Sequence, residues 1–129
     1  MILISHRGNI NGRLVPFENQ PNYIDTAIAA GYDVEIDVWY EVESGKLYLG
    51  HDKADYQIDI DWLDERCDKL WIHCKNMDSL SYFNKINTFG PEYNYFSHDK
   101  DMGVLTSYGY IWSTNLYDNG ILVLPEVFE

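Results

Sequence analysis

A chain of 129 residues with a formal net charge of −12 is long enough for one domain with a real core. That charge makes nucleic acid or an anionic membrane surface an unexpected partner. Eleven Tyr, five Phe and four Trp exclude a disordered chain, and no apolar run reaches the length of a membrane span.

From the start, Ile2-Leu3-Ile4-Ser5 reads as a short buried strand that exits at His6-Arg7-Gly8. Met1 leads directly into it, without the basic and apolar segments of a signal peptide. Residues 9–20, with Asn9, Asn11, Gly12 and Pro16, read as a loop. Glycine beside arginine at a strand exit suits an oxyanion, because the backbone comes close and the guanidinium offers planar donors; a plain surface turn is the alternative. Pro21 to Ala30 reads as a helix with Gly31 past its end, and Tyr23, Ile24, Ala27 and Ile28 form its core face.

Asp33 to Asp52 organises the rest. Asp33-Val34-Glu35-Ile36-Asp37-Val38 alternates acidic and apolar residues, the period of a strand. Asp33, Glu35 and Asp37 therefore share one face, and Val34, Ile36 and Val38 share the other. A carboxylate row of this kind is either a solvated face or a site for a hard cation that takes oxygen ligands. A turn at Glu43-Ser44-Gly45 leads into a strand over 46–50, which delivers His51-Asp52 as a candidate acid–base partner.

A polar loop and a short helix around Asp61 to Cys67 follow, then a strand Leu70 to Lys75. Its parity sets His73 and Lys75 on the face of Trp71, opposite Leu70, Ile72 and Cys74. Cys67 and Cys74 have neither metal-ligand nor redox spacing, and read as small buried residues of a reducing compartment, so a cytoplasmic location is expected. Met77 to Asn87 reads as an amphipathic helix closed by Gly90-Pro91, and Tyr93 to His98 as a strand. Strands are also expected at 104–107, 110–113 and 121–124, the first two joined by a tight turn at Tyr108-Gly109. The alternation of strands and helices predicts an α/β domain over 1–129, with mainly parallel strands. Polar residues gathered at strand ends are the pattern of a β/α barrel, which at this length must be reduced or incomplete.

His6-Arg7-Gly8, Glu18-Asn19, Glu35-Ile36-Asp37 and His51-Asp52, in that order and spacing, resemble the glycerophosphodiester phosphodiesterase family of phospholipase-C-like barrel enzymes. The resemblance covers about the first 52 residues and is looser beyond Asn76. It implies that His6 and His51 act as the acid–base pair, that Glu35 and Asp37 bind a divalent cation, and that Glu18 and Asn19 support the site. The family carries Glu-x-Lys on its fourth strand, with the glutamate as a third metal ligand and the lysine on the phosphate. Here the stretch is His73-Cys74-Lys75, so Lys75 matches and His73 takes the glutamate's place. Mg²⁺ or Ca²⁺ is the expected ion, or Mn²⁺ or Zn²⁺ where His73 ligates. The resemblance also implies one more barrel strand than this chain supplies, and self-association as a homodimer would cover the edges left unpaired.

The expected activity is metal-dependent hydrolysis of a small phosphodiester, a glycerophosphodiester or sugar phosphodiester, with Arg7 and Lys75 on the phosphate. Two rivals stay open: a degenerate barrel that binds a phosphate-containing ligand without turnover, and attack by a neighbouring hydroxyl to give a cyclic phosphate.

Overall fold

The structure is a computed structural model that describes residues 2–88, 92–98, 103–113 and 120–122. Its centre is the acidic–apolar alternation, which forms the longest strand, β2 (Asp33–Glu41). The preceding strand β1 (Ile4–His6) runs parallel to its first half, pairing Ile4 with Asp33 and His6 with Glu35. The second half of the same edge pairs antiparallel with β3 (Lys46–Leu49), and Gly45, at φ 68°, closes the turn between them. β3 pairs antiparallel with β4 (Tyr56–Ile58). On the other edge, β2 pairs parallel with β5 (Leu70–Cys74), which sets Asp37 opposite His73, and β5 pairs parallel with β6 (Asn94–Phe96).

Among the described residues, three α-helices connect or flank these strands. α1 (Pro21–Ala29) begins on a proline, whose missing N–H costs nothing in a first turn. Gly31, at φ 98°, follows its end. α2 (Ile60–Asp64) is capped by the Asp59 carboxylate, which accepts from Trp62 N at 2.9 Å. α3 (Met77–Ile86) starts in a capping box between Asn76 and Ser79. The Asn76 amide also clamps Tyr40, donating to its carbonyl at 3.0 Å and accepting from its N–H at 3.3 Å.

The parity read from the sequence decides what each face of the sheet does. Val34, Ile36 and Val38 of β2 and Leu70, Ile72 and Cys74 of β5 pack against Ile24, Ala27, Leu63 and Phe83, all buried. Each large aliphatic so enclosed contributes about 1.5–3 kcal/mol. The opposite face carries Glu35, Asp37, Trp71 and His73. It is covered in part by a second sheet in which β8 (Ile111–Ser113) pairs antiparallel with β7 (Gly103–Leu105) and parallel with β9 (Gly120–Leu122). Trp112 of β8 packs with Trp71 and Phe96 as a buried aromatic layer.

The reduced β/α barrel of mainly parallel strands is not what forms. The six-stranded sheet is mixed and the three-stranded sheet is separate from it. The reason lies in the connections. A barrel needs a crossover after each strand to bring the next one in parallel, but the chain doubles back at 42–45 and again at 50–55, so β3 and β4 enter antiparallel. Strand β4 falls in the segment read as a polar loop. The expected helix stop at Gly90-Pro91 and the last two residues of the strand expected at 121–124 lie outside the described residues. Among the described residues, no helix is long and apolar enough to cross a membrane. Both cysteines are free thiols, with Cys74 buried and Cys67 half-buried.

Candidate active site

Glu35 and Asp37 are not a solvated row: they are 2% and 0% exposed. Asp33, on the same face, is half-buried and accepts from Trp71 Nε1 at 3.0 Å. What buries the other two is the loop after β1. Arg7 sits at φ 58° and Asn19 at φ 65°, two non-glycine residues in the left-handed region. Arg7 N donates to Glu35 O at 2.8 Å, and Asn19 N donates to Arg7 O at 3.0 Å, so the loop is stitched both to β2 and to itself. Gly8, at φ 94°, lies so close to Tyr23 that a Cβ there would come 2.7 Å from Cδ2 of that ring.

The side chains of this loop converge on Asp37. Asn19 brackets it, donating through Nδ2 to Oδ2 at 2.9 Å and accepting from the Asp37 N–H at 3.0 Å. Arg7 Nε lies 3.0 Å from the same Oδ2, while Nη1 donates to Glu18 Oε1 at 3.1 Å. Asn9 Nδ2 holds the other Glu18 oxygen at 2.7 Å. Arg7, Glu18 and Asn19 are therefore all buried in one network around Asp37.

Three imidazoles surround the carboxylate pair. His6 Nε2 is 3.6 Å from Glu35 Oε1, and His51 Nδ1 is 3.6 Å from Asp37 Oδ2. Both rings are about one-third exposed, at 34% and 39% of their side chains. His51 is carried by the turn after β3, and Trp39 Nε1 braces that turn by donating to Gly50 O at 2.6 Å. Arg7 Nη2 lies 3.4 Å from His51 Nε2. The third ring, His73, is more enclosed, with Nδ1 3.2 Å from Asp37 Oδ1 and 3.5 Å from Glu35 Oε2. It stacks on Phe96 with ring centroids 5.1 Å apart. Lys75 leaves the end of β5 beside this group, close enough for its charge to be felt at His51.

The electrostatics follow from this packing. Burial pushes the Asp37 carboxyl up, but His73, Asn19 and Arg7 together hold it well below the usual carboxylate range. Burial pulls the His73 imidazole down, yet Asp37 and Glu35 outweigh that and raise it to about 9. His51 moves the other way: burial and then the Arg7 guanidinium lower it, with Asp37 offsetting part. Burial pushes the Cys74 thiol up to about 12, which leaves it inert at neutral pH.

Glu35, Asp37 and His73 each offer a ligand atom, all within 4.8 Å of one another. Glu35 Oε1 and Asp37 Oδ1 are buried and make no hydrogen bond with the described residues. Buried carboxylate oxygens left in that state are costly unless a cation meets them, so the residues fit a divalent ion.

Every residue singled out from the sequence thus lies in or beside one cluster. Sequence reasoning missed Asn9, which fixes Glu18, and Phe96 and the His98 carbonyl, which hold His73. Asn9 follows directly on His6-Arg7-Gly8 and was within reach of the motif; nothing local marks Phe96 or His98.

No family model matches the chain, nor does any curated protein or solved structure.

Proposed function

We propose that this protein is a metal-dependent phosphodiester hydrolase whose chemistry is like that of the glycerophosphodiester phosphodiesterases its motifs resemble. The observation that carries the reading is the pair of partly exposed imidazoles, His6 beside Glu35 and His51 beside Asp37, at a buried carboxylate pair. A divalent ion held by Glu35 and Asp37 supplies positive charge against a phosphate oxygen when bound.

The chain's own residues do the rest. Arg7, with Nη2 turned toward His51, and Lys75 add positive charge on the substrate anion. One histidine takes a proton from the attacking water, and the other gives a proton to the departing alkoxide as its P–O bond breaks. His51 suits the first role, because its lowered pKa keeps the ring neutral near pH 7. His6 takes the second. Glu18, Asn9 and Asn19 touch no substrate in this scheme; they hold Arg7 and Asp37 in place. The substrate is a small phosphodiester, with the formal charge of −12 against any polyanionic partner. The compartment is a reducing one such as the cytoplasm, as the two free thiols favour.

The test is a panel of glycerophosphodiesters assayed in single turnover with Mg²⁺, Ca²⁺, Mn²⁺ or Zn²⁺. It is paired with calorimetric binding of a non-hydrolysable phosphonate analogue. His6→Asn and His51→Asn should each lower turnover by roughly 10²–10⁴-fold and leave analogue affinity nearly unchanged. Product analysis separates a free phosphomonoester from a cyclic phosphate. Analogue binding without turnover under any ion would leave the non-catalytic binding module instead. Turnover that survives His51→Asn intact would remove the paired-histidine mechanism.

A further inference from the structure

The cluster holds a feature that the family resemblance does not predict: the third position is a nitrogen, and its second ring atom is already committed. His73 Nε2 lies 2.9 Å from the carbonyl oxygen of His98. A carbonyl only accepts, so Nε2 carries a proton and donates it. The Nδ1 atom then points its lone pair at Asp37 Oδ1, 3.2 Å away, and at Glu35 Oε2, 3.5 Å away. A lone pair facing two carboxylate oxygens is stable only with a cation among them, either a proton on Nδ1 or a metal ion.

We infer that Glu35, Asp37 and the Nδ1 atom of His73 form a three-ligand site for a borderline transition ion of the Zn²⁺ or Mn²⁺ class, with the His98 carbonyl fixing the ring. This inference rests on the reading of the cluster as a metal-dependent site and names the ion class it takes.

Three observations favour the metal over the proton. The first is charge. Glu18, Glu35 and Asp37 are buried beside a single buried guanidinium, Arg7, which leaves two negative charges among these groups. A proton on His73 removes one of them and a divalent ion removes both. The second is the pair of buried oxygens, Glu35 Oε1 and Asp37 Oδ1, without hydrogen bonds. The third is spacing and ring fixation together. Two ligands about 2.1 Å from one tetrahedral ion stand about 3.4 Å apart, close to the separations found here. A larger ion in an oxygen shell would leave a similar spacing, so the nitrogen decides: imidazole suits Zn²⁺ and Mn²⁺, whereas Mg²⁺ and Ca²⁺ take oxygen. A ligating histidine whose other N–H donates to a backbone carbonyl is the usual arrangement around such ions. Stacking on Phe96 keeps the ring in that plane.

The experiment titrates the tag-free full chain by calorimetry with each ion alone, Zn²⁺, Mn²⁺, Mg²⁺ and Ca²⁺, for wild type, His73→Phe and His73→Glu. Wild type should bind Zn²⁺ at least about 100-fold more tightly than Mg²⁺ or Ca²⁺. His73→Phe should weaken Zn²⁺ by more than the 10–100-fold that an outer partner is worth. His73→Glu should close the gap between Zn²⁺ and Mg²⁺. Should the variants fail to fold by circular dichroism, the wild type still decides: ¹⁵N spectra with ¹¹³Cd²⁺ should show metal coupling at His73 Nδ1. Coupling at Nε2 or none, Zn²⁺ affinity unchanged in His73→Phe, or wild-type preference for Mg²⁺ or Ca²⁺ would each overturn the assignment and leave a buried ion pair. The two readings fail separately. Zn²⁺ binding that depends on His73, without turnover of any phosphodiester, sinks the hydrolase and keeps the site. Mg²⁺-supported turnover, with Zn²⁺ affinity indifferent to His73, does the reverse.

Discussion

Replacing Asp37 with Asn in metal-free protein removes one charge without changing shape, and the structure says what that costs. Asp37 is 0% exposed, with Oδ2 hydrogen-bonded and Oδ1 paired with His73 by charge alone. Oδ2 meets Asn19 Nδ2 at 2.9 Å and Arg7 Nε at 3.0 Å, and Oδ1 meets His73 Nδ1 at 3.2 Å. An Asn amide that keeps its oxygen toward Asn19 and Arg7 sets its NH₂ against His73 Nδ1, which must give up the proton it carries in the metal-free protein, and the opposite flip sets the NH₂ against two donors. Breaking a buried pair from one side costs about 3–5 kcal/mol. The low end applies here, because Glu18 still holds Arg7 and Glu35 still faces His73. About 3 kcal/mol is a large share of the roughly 5–15 kcal/mol that holds a domain folded, and corresponds to a fall in Tm of roughly 10–15 °C. The control is Asp33→Asn, half-buried on the same strand with a single Trp71 donor, which should cost about 1 kcal/mol. Urea and thermal denaturation at pH 7 in EDTA measure both. The folded-state pKa of Asp37 is depressed, so its contribution is complete above the ordinary carboxylate range and disappears as pH falls through the depressed value. Wild type and Asp37→Asn should therefore converge in strong acid. A variant no less stable than Asp33→Asn at pH 7 would refute the buried network.

His73 gives the opposite dependence: its folded pKa is raised to about 9, so in EDTA its stabilising effect is full below about 6.5 and is lost as pH rises through about 9. A Tm that stays level across that window, or whose fall persists in His73→Phe, would contradict this. Gly8→Ala should lower stability by roughly 1–3 kcal/mol, since a Cβ would press on Tyr23 at an unfavourable φ, whereas Gly31→Ala meets no atom within 4 Å and should cost about 1 kcal/mol, both read by thermal denaturation. Asn76→Ala removes a helix cap and both bonds to Tyr40, and should cost about 2 kcal/mol or more by urea denaturation; a loss below about 0.5 kcal/mol would mean the clamp is idle.

Period and parity made the strands and their faces legible. The alternation from Asp33 placed Glu35 and Asp37 together, and the same rule placed Trp71 and His73 on one face of β5. Helix ends were legible where Pro21 and Gly31 mark them. Burial of the carboxylates was not, because parity says which way a side chain points and not what covers it. The cover comes from Glu18-Asn19, brought back by a loop whose conformation needs Arg7 and Asn19 at positive φ, and from His73, which Phe96 backs from a strand distant in sequence. The sheet was misjudged for a related reason. Tyr56-Gln57-Ile58 is too short to show a period, so β4 was hidden, and a run of strands and helices reads as parallel until a short return forbids it.

That error leaves the proposed chemistry intact, since the proposed metal ligands and the two histidines come from neighbouring strands or the turns at their ends. His6 ends β1, Glu35 and Asp37 sit in β2, His51 follows β3, and His73 lies in β5 opposite Asp37. All four strands touch one another through β2, so a closed barrel is not needed to bring these groups together. What is needed is a way to keep negative charge buried, and the backbone bears its mark. Arg7 and Asn19 occupy a region that disfavours side chains, at φ 58° and 65°; Arg7 reaches the strand below through its main-chain N–H and its side chain, and Asn19 through its side-chain amide while its N–H holds Arg7. Residues held this way persist where the surroundings over-determine them, which is common at functional sites. A fold selected for stability alone would relax the loop and replace Glu35 and Asp37 with apolar residues, at little cost or some gain. Their presence, under a strained clamp and beside two partly exposed imidazoles, is what the proposed metal-dependent chemistry accounts for.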